Sequence, residues 1–267
     1  MIVEEASTAP VAIRGHRLLM AAAIVVATAA GIVGVIMLVA PTSTGTYFAW
    51  ALAPPGLAAL VGGFYVVSAP VFAYAGTRPA VEVRGLAAAV LAFTVPTLVA
   101  TYLHRDIFDF SRLMAIAWVV LFIASPITFA LLLWSGRHAQ PPPHDPRLNR
   151  AVRTVLLVLA IAFAGLAVLL WVTTDGPIPF EVAPLGARFL ASWLAFFAVL
   201  AGWPALRPTL SEARVPLLSL AAYGVGGLLA AAIHPGQFEA GPFGYLAALV
   251  GVIVIAGLAL IRGSRPV

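Results

Sequence analysis

Eight long apolar stretches run along the chain, near residues 18–40, 53–75, 85–103, 113–134, 152–173, 185–204, 215–233 and 243–261, with short polar segments between them. A helix needs about 20 apolar residues to cross about 30 Å of hydrocarbon, where each backbone N–H and C=O must be satisfied inside its own segment. The pattern predicts an all-α membrane protein of eight transmembrane helices, with ends placed to within about 3 residues. One separating segment, 135–150, is long and polar, and its run Pro141, Pro142, Pro143 forbids helix continuation. It divides a first four-helix repeat, 18–134, from a second, 151–262, with a short segment 1–17 before them and a tail 263–267 after.

The two halves resemble each other. Residues 45–110 realign on 175–240 at a constant offset of 130, pairing Pro54 with Pro184, Gly56 with Gly186, Glu82 with Glu212, Arg84 with Arg214, His104 with His234 and Phe108 with Phe238. Thirteen of the 66 aligned positions are identical, about twice what so biased a composition gives by chance, and the rarer residues carry the argument for a duplication. With four spans per half, both halves enter the membrane from the same side. The repeats are therefore expected to be parallel, related by an axis along the membrane normal.

Composition agrees with the pattern. With 62% hydrophobic and 9% charged residues and a mean hydropathy of +1.04, there is too little polar surface to coat a water-soluble globule of this length. The net charge of +5 would suggest nucleic acid in a soluble protein. Here it reads as topology. With both termini inside, twelve of the fifteen arginines lie on the cytoplasmic side and only Arg105, Arg112 and Arg188 lie outside, as the positive-inside rule requires. Such an inner face attracts anionic lipid headgroups, and nucleic acid is not needed to explain it. The first apolar run is longer than a signal-peptide core and is read as a retained helix. Uniform Arg, Ala, Gly and Pro usage without a single lysine suggests a GC-rich bacterial genome, hence the bacterial cytoplasmic membrane. The absence of cysteine removes thiol nucleophiles, disulfides and iron–sulfur ligation.

Candidate chemistry sits where the third helix of each half ends, in a matched pattern of histidine, three residues, phenylalanine and an acid: His104, Phe108 and Asp109, then His234, Phe238 and Glu239. Upstream, Thr94, Thr97 and Thr101 recur at helical spacing on the face that carries His104, as do Gly224, Gly227 and Ala231 on the face that carries His234. Small and hydroxyl residues let membrane helices approach closely, so the third and seventh helices are expected to meet with both histidines at the outer mouth of their contact. Two imidazoles and two carboxylates there could bind a divalent metal, gate a pathway or titrate with external pH. Equally, the acids could complement the N-terminal dipoles of the following helices and the phenylalanines could anchor at the interface. Arg188, about one turn into the sixth helix, could snorkel, pair with Glu181 or Asp175, or contact a ligand.

The inner turn between the second and third helix of each half carries Arg78, Glu82 and Arg84, then Arg207, Glu212 and Arg214, and is read as a tight turn with the acid near a helix N-terminus. Pro184, Leu185, Gly186, Ala187 and Arg188, together with Leu103–His104 and Phe48-Ala49-Trp50, resemble a family of multi-spanning membrane proteins, mainly of actinobacteria and related bacteria, to which no activity is assigned. That resemblance implies a polytopic membrane protein and brings no reaction with it.

No ionisable residue lies in the middle of any expected span, which disfavours proton-coupled transport. Neither a metalloprotease motif, a nucleophile elbow nor a phosphate loop is present, so hydrolysis and ATP use have no visible basis. Pro96 aligns with Gly226, and both could break a helix at the same depth, as around transporter midplane sites. The function these features suggest is handling of a small solute, ion or lipid at an outward-facing cleft between the halves. Two alternatives stay open: a structural or assembly subunit that recruits a protein partner or a second copy through its outer loops, and a metal or haem carrier using His104 and His234.

Overall fold

A computed structural model describes residues 9–176, 181–238, 251–252 and 254–257, and the described part is helical, without a β-strand. The long helices are α1 (Ala9–Val39), α3 (Pro55–Gly76), α4 (Ala80–Leu103), α5 (Leu113–Gly136), α6 (Arg150–Thr173), α7 (Pro184–Leu206) and α8 (Leu210–Ile233); α2 (Thr44–Tyr47) is a single turn between α1 and α3. All seven long helices are long and apolar enough to cross a membrane. The expected eighth span, 243–261, lies outside the described residues except for helical turns at 251–252 and 254–257.

Three helices start earlier than their hydropathy predicts: α1, at Ala9 in place of 18, and the pair α4 and α8. Expected from 85 and 215, α4 and α8 begin at Ala80 and Leu210, so Glu82 and Glu212 lie in first helical turns, Arg84 and Arg214 just after them, and none lies in a loop. Their starts are set by Pro79 and Thr209 in extended conformation at the N-caps, and each acid sits where the helix dipole favours it. Charge inside an apolar helix end is tolerable because it is paired. Arg84 Nη2 donates to Glu212 Oε1 at 2.6 Å, and Arg214 Nη1 lies 3.6 Å from Glu82 Oε1, so the N-termini of α4 and α8 exchange partners. Glu82 also takes a two-pronged bond from Arg78, at 2.8 and 2.9 Å.

The bundle is layered. In α3 and α7, 72% of the most hydrophobic window is buried, against 28% in α1 and α5 and 22% in α6. Thus α3 and α7 form the centre, α1 packs on α3, α6 on α7, and α4 and α8 fill between them, with α3 touching α8 and α4 touching α7. Glycine sets the tightest crossings. A Cβ on Gly34 of α1 would come 2.7 Å from the Gly62 carbonyl of α3, and Cβ atoms on Gly63 and Gly226 would each run into the other's carbonyl, so α3 and α8 touch backbone to backbone. Helix geometry is continuous through Pro70, Pro96, Pro126 and Gly226, so the aligned Pro96 and Gly226 do not open a discontinuous helix. Packing against neighbours holds the ladder where the missing proline N–H would weaken it.

The polar linker is not a free loop. Leu148 N donates to Pro208 O at 2.8 Å and Leu210 N to Pro146 O at 2.7 Å, stitching it antiparallel to the α7–α8 turn. Asp145 Oδ2 accepts from Ser211 N and Oγ at 3.0 and 2.6 Å, and Asn149 caps α6 by accepting from Val152 N. His138 and His144 are exposed. These contacts, with the paired charges, gather the α3–α4 turn, the α5–α6 linker and the α7–α8 turn at one arginine-rich end. At the opposite end lie the segments 40–54 and 104–112, residues 174–176 and 181–183, and the end of α8.

Candidate functional site

At that opposite end α4 terminates on His104, whose N–H bonds the Ala100 carbonyl, and α8 terminates on His234, whose N–H bonds the Ala230 carbonyl. The imidazoles then diverge in chemistry. Arg188 Nη1 donates to His104 Nε2; a guanidinium has only protons to give, so Nε2 is the acceptor and the neutral ring carries its proton on Nδ1. His234 Nε2 instead faces the Leu38 carbonyl, which only accepts, so the proton sits on Nε2. Partial burial, then the Arg188 charge, hold the His104 pKa below the ordinary 6.5, opposed by Asp106. Arg188 Nε is buried without a partner among the described residues.

His104 therefore ties the end of α4 to α7 and His234 ties the end of α8 to the end of α1, and the two engage separate partners. Asp109 is exposed and closes a local turn. Its Oδ1 accepts from Ser111 N at 3.0 Å and Ser111 Oγ at 2.6 Å, and these bonds with the Arg112 charge lower its pKa. Glu239 lies outside the described residues. Among the described residues no three His, Asp or Glu side chains gather as a metal site would need.

The small-residue stripes are buried. Thr94, Thr97 and Thr101 donate to the carbonyls one turn back, at 2.8, 2.7 and 2.9 Å, and Thr101 Oγ1 accepts from Trp118 Nε1 at 3.0 Å. Gly224, Gly227 and Ala231 are buried on α8, which packs on α4. Phe108, read as an interface anchor, turns inward. Phe48, Trp50 and Phe108 are each 5% exposed, with Phe108 edge-on to Trp50, Trp50 edge-on to Trp118 and Phe189, and Phe48 edge-on to Trp118, because rings of this size gain more by mutual packing than at a bundle surface.

Beneath this aromatic cap is a cavity of about 380 Å³ that no sequence motif announced. Its walls come from α1, α3, α4 and α5, with Trp193 and Phe196 of α7 and Tyr223 of α8. Polar residues in the wall are few: Ser68, whose Oγ is 3.0 Å from both the Phe64 carbonyl and Tyr223 Oη, then Thr94, Tyr65, Ser125, Tyr223 and Trp193. The wall includes Val25 and Ala29 of α1 and Met114 and Ala117 of α5, all exposed, so the cavity reaches the apolar outside of the bundle between those two helices. Of the residues singled out in the sequence, Thr94, Phe48 and Ala49 line it; His104, Asp109, Arg188 and His234 do not. The available signal was aromatic spacing: Trp118 and Phe122, and Trp193 with Phe196 and Phe197, recur at three and four residues inside the spans. Comparison with protein-family models, with curated proteins and with solved structures finds no match for the chain.

Proposed function

We propose that the protein is a cytoplasmic-membrane protein of bacterial origin, a duplicated four-span unit with both termini inside, that takes a lipid-soluble molecule from the bilayer into the cavity bounded by α1, α3, α4 and α5. One observation carries this reading: an aromatic-walled chamber of about 380 Å³, within the size range of ligand sites, opens sideways where membrane lipid would lie. An ion would find no charge inside it, and a water-soluble solute would have to enter through an apolar gap. His104 with Arg188 and His234 with the Leu38 carbonyl act as latches that hold the halves together at the outer end. The reciprocal pairing of Arg84 with Glu212 and Arg214 with Glu82 supports the duplication, since aligned residues make equivalent bonds. The positive-inside count puts this cluster at the cytoplasmic face. The segments Leu103–His104 and Pro184 to Arg188 support kinship with the actinobacterial membrane family.

The test fills the chamber. Ala117→Trp places an indole at the gap, and mass spectrometry of protein purified in mild detergent reports what it retains. A lipid near one per chain is expected in the native protein and its loss in the variant, at equal membrane abundance. Retention of the same lipid by a correctly folded Ala117→Trp protein overturns the reading.

A further inference from the structure

The cavity is apolar but not chemically blank. Trp193 lines it at 2% exposure, and its Nε1–H is buried without an acceptor among the described residues. The rings packed around it, Phe64, Phe93, Phe196 and Tyr223 among them, offer only weak N–H···π acceptance. Two more wall residues, Tyr65 and Ser125, carry hydroxyls that likewise have no hydrogen-bond partner among the described residues. The other polar wall groups are committed: Thr94 donates to the Val90 carbonyl at 2.8 Å, and Ser68 and Tyr223 share a bond at 3.0 Å. The chamber thus holds unspent donors, one of which cannot act as anything else, and no charged group. Leaving a buried donor unpaired is costly, and a membrane interior supplies no water to relieve it.

We infer that the occupant is an uncharged, lipid-soluble molecule bearing a carbonyl acceptor, a quinone head or an acyl ester, whose oxygen takes the Trp193 N–H and the Tyr65 or Ser125 hydroxyl while its hydrocarbon lies against the rings. This rests on the cavity being a ligand site. A carbonyl oxygen is an uncharged acceptor that bilayer-soluble quinones and acyl esters carry. A charged headgroup would find no counter-ion in the chamber.

Equilibrium binding of three radiolabelled probes to the purified full chain separates the ideas: a benzoquinone with a ten-carbon tail, decyl acetate and dodecane. The quinone or the ester is expected to bind more tightly than the alkane. Trp193→Phe and Tyr65→Phe, which keep the rings, are each expected to weaken the carbonyl probes about 3- to 10-fold and leave dodecane unchanged. Which carbonyl probe binds better distinguishes quinone from ester. Equal binding of all three, indifferent to both variants, overturns the carbonyl inference and leaves a plain lipid cavity. Failure of all three to bind removes the cavity as a ligand site and both readings with it. Since Trp193→Phe tests folding as well as donation, each variant is checked by dodecane binding, which a collapsed cavity would lose.

Discussion

Replacing Glu212 by Gln is expected to be among the most damaging single changes at the arginine-rich end, and more damaging than the same change at its aligned partner Glu82. Arg84 is 14% and Glu212 6% exposed at the side chain, their atoms are 2.6 Å apart, and Arg84 Nε already lacks a partner among the described residues. At an effective dielectric of about 20, unit charges 4 Å apart attract by about 4 kcal/mol, and breaking one half of a buried pair costs about 3–5 kcal/mol because the other charge stays buried. Glu212→Gln should therefore lose about 3 kcal/mol. Glu82 serves Arg78 and Arg214, which are 28% and 37% exposed and can turn to water when released, so Glu82→Gln should lose only about 1 kcal/mol. Removing both partners with Arg84→Met and Glu212→Leu should bring stability back to within about 1 kcal/mol of the native protein, since no charge remains to be stranded. Reversible unfolding in mixed micelles, followed by tryptophan fluorescence and closed as a double-mutant cycle, gives the coupling. Equal losses at Glu82 and Glu212, or a double variant no more stable than Glu212→Gln, would refute the burial argument.

Three further outcomes are expected. Gly63→Ala should cost about 3 kcal/mol in the same unfolding assay, because its Cβ meets the Gly226 backbone, whereas Gly165→Ala, with nothing within 4 Å, should be neutral. Because the His104 pKa is depressed, its contribution to stability is complete above 6.5 and falls as pH drops from there through the lowered value. Arg188→Gln removes one cause and should shrink this loss between pH 7.5 and 5, read as thermal midpoint against pH; an unchanged slope would show that Arg188 does not set it. The cysteine-free chain allows single-cysteine labelling: Asp109→Cys should react with an impermeant maleimide in intact cells and His138→Cys only after permeabilisation. The reverse pattern would invert the orientation.

Helix existence was legible from hydropathy alone, because the bilayer demands about 20 apolar residues per crossing whatever the neighbours are. The starts of α4 and α8 were not. Hydropathy places Glu82 and Glu212 outside a span, and only the arginines brought alongside by packing make an earlier start affordable. The repeated histidines lie where distant helices meet, yet sequence could not say that one imidazole would accept from Arg188 and the other donate to a main-chain carbonyl. Phe108 looked like an interface anchor, since spacing records that a residue is aromatic and not which way its ring turns.

By itself, then, the order of residues determined a helical chain whose helices are long and apolar enough to cross a membrane, and the like sets of charges near the starts of α4 and α8. Only tertiary structure decided that α3 and α8 touch through Gly63 and Gly226, that the linker is sewn to the α7–α8 turn, and that rings from six helices enclose a chamber. The physical reason is range. Hydrophobicity and helix period act within one segment, whereas a cavity is the space left between segments, and its donors, walls and opening exist only once distant faces have met.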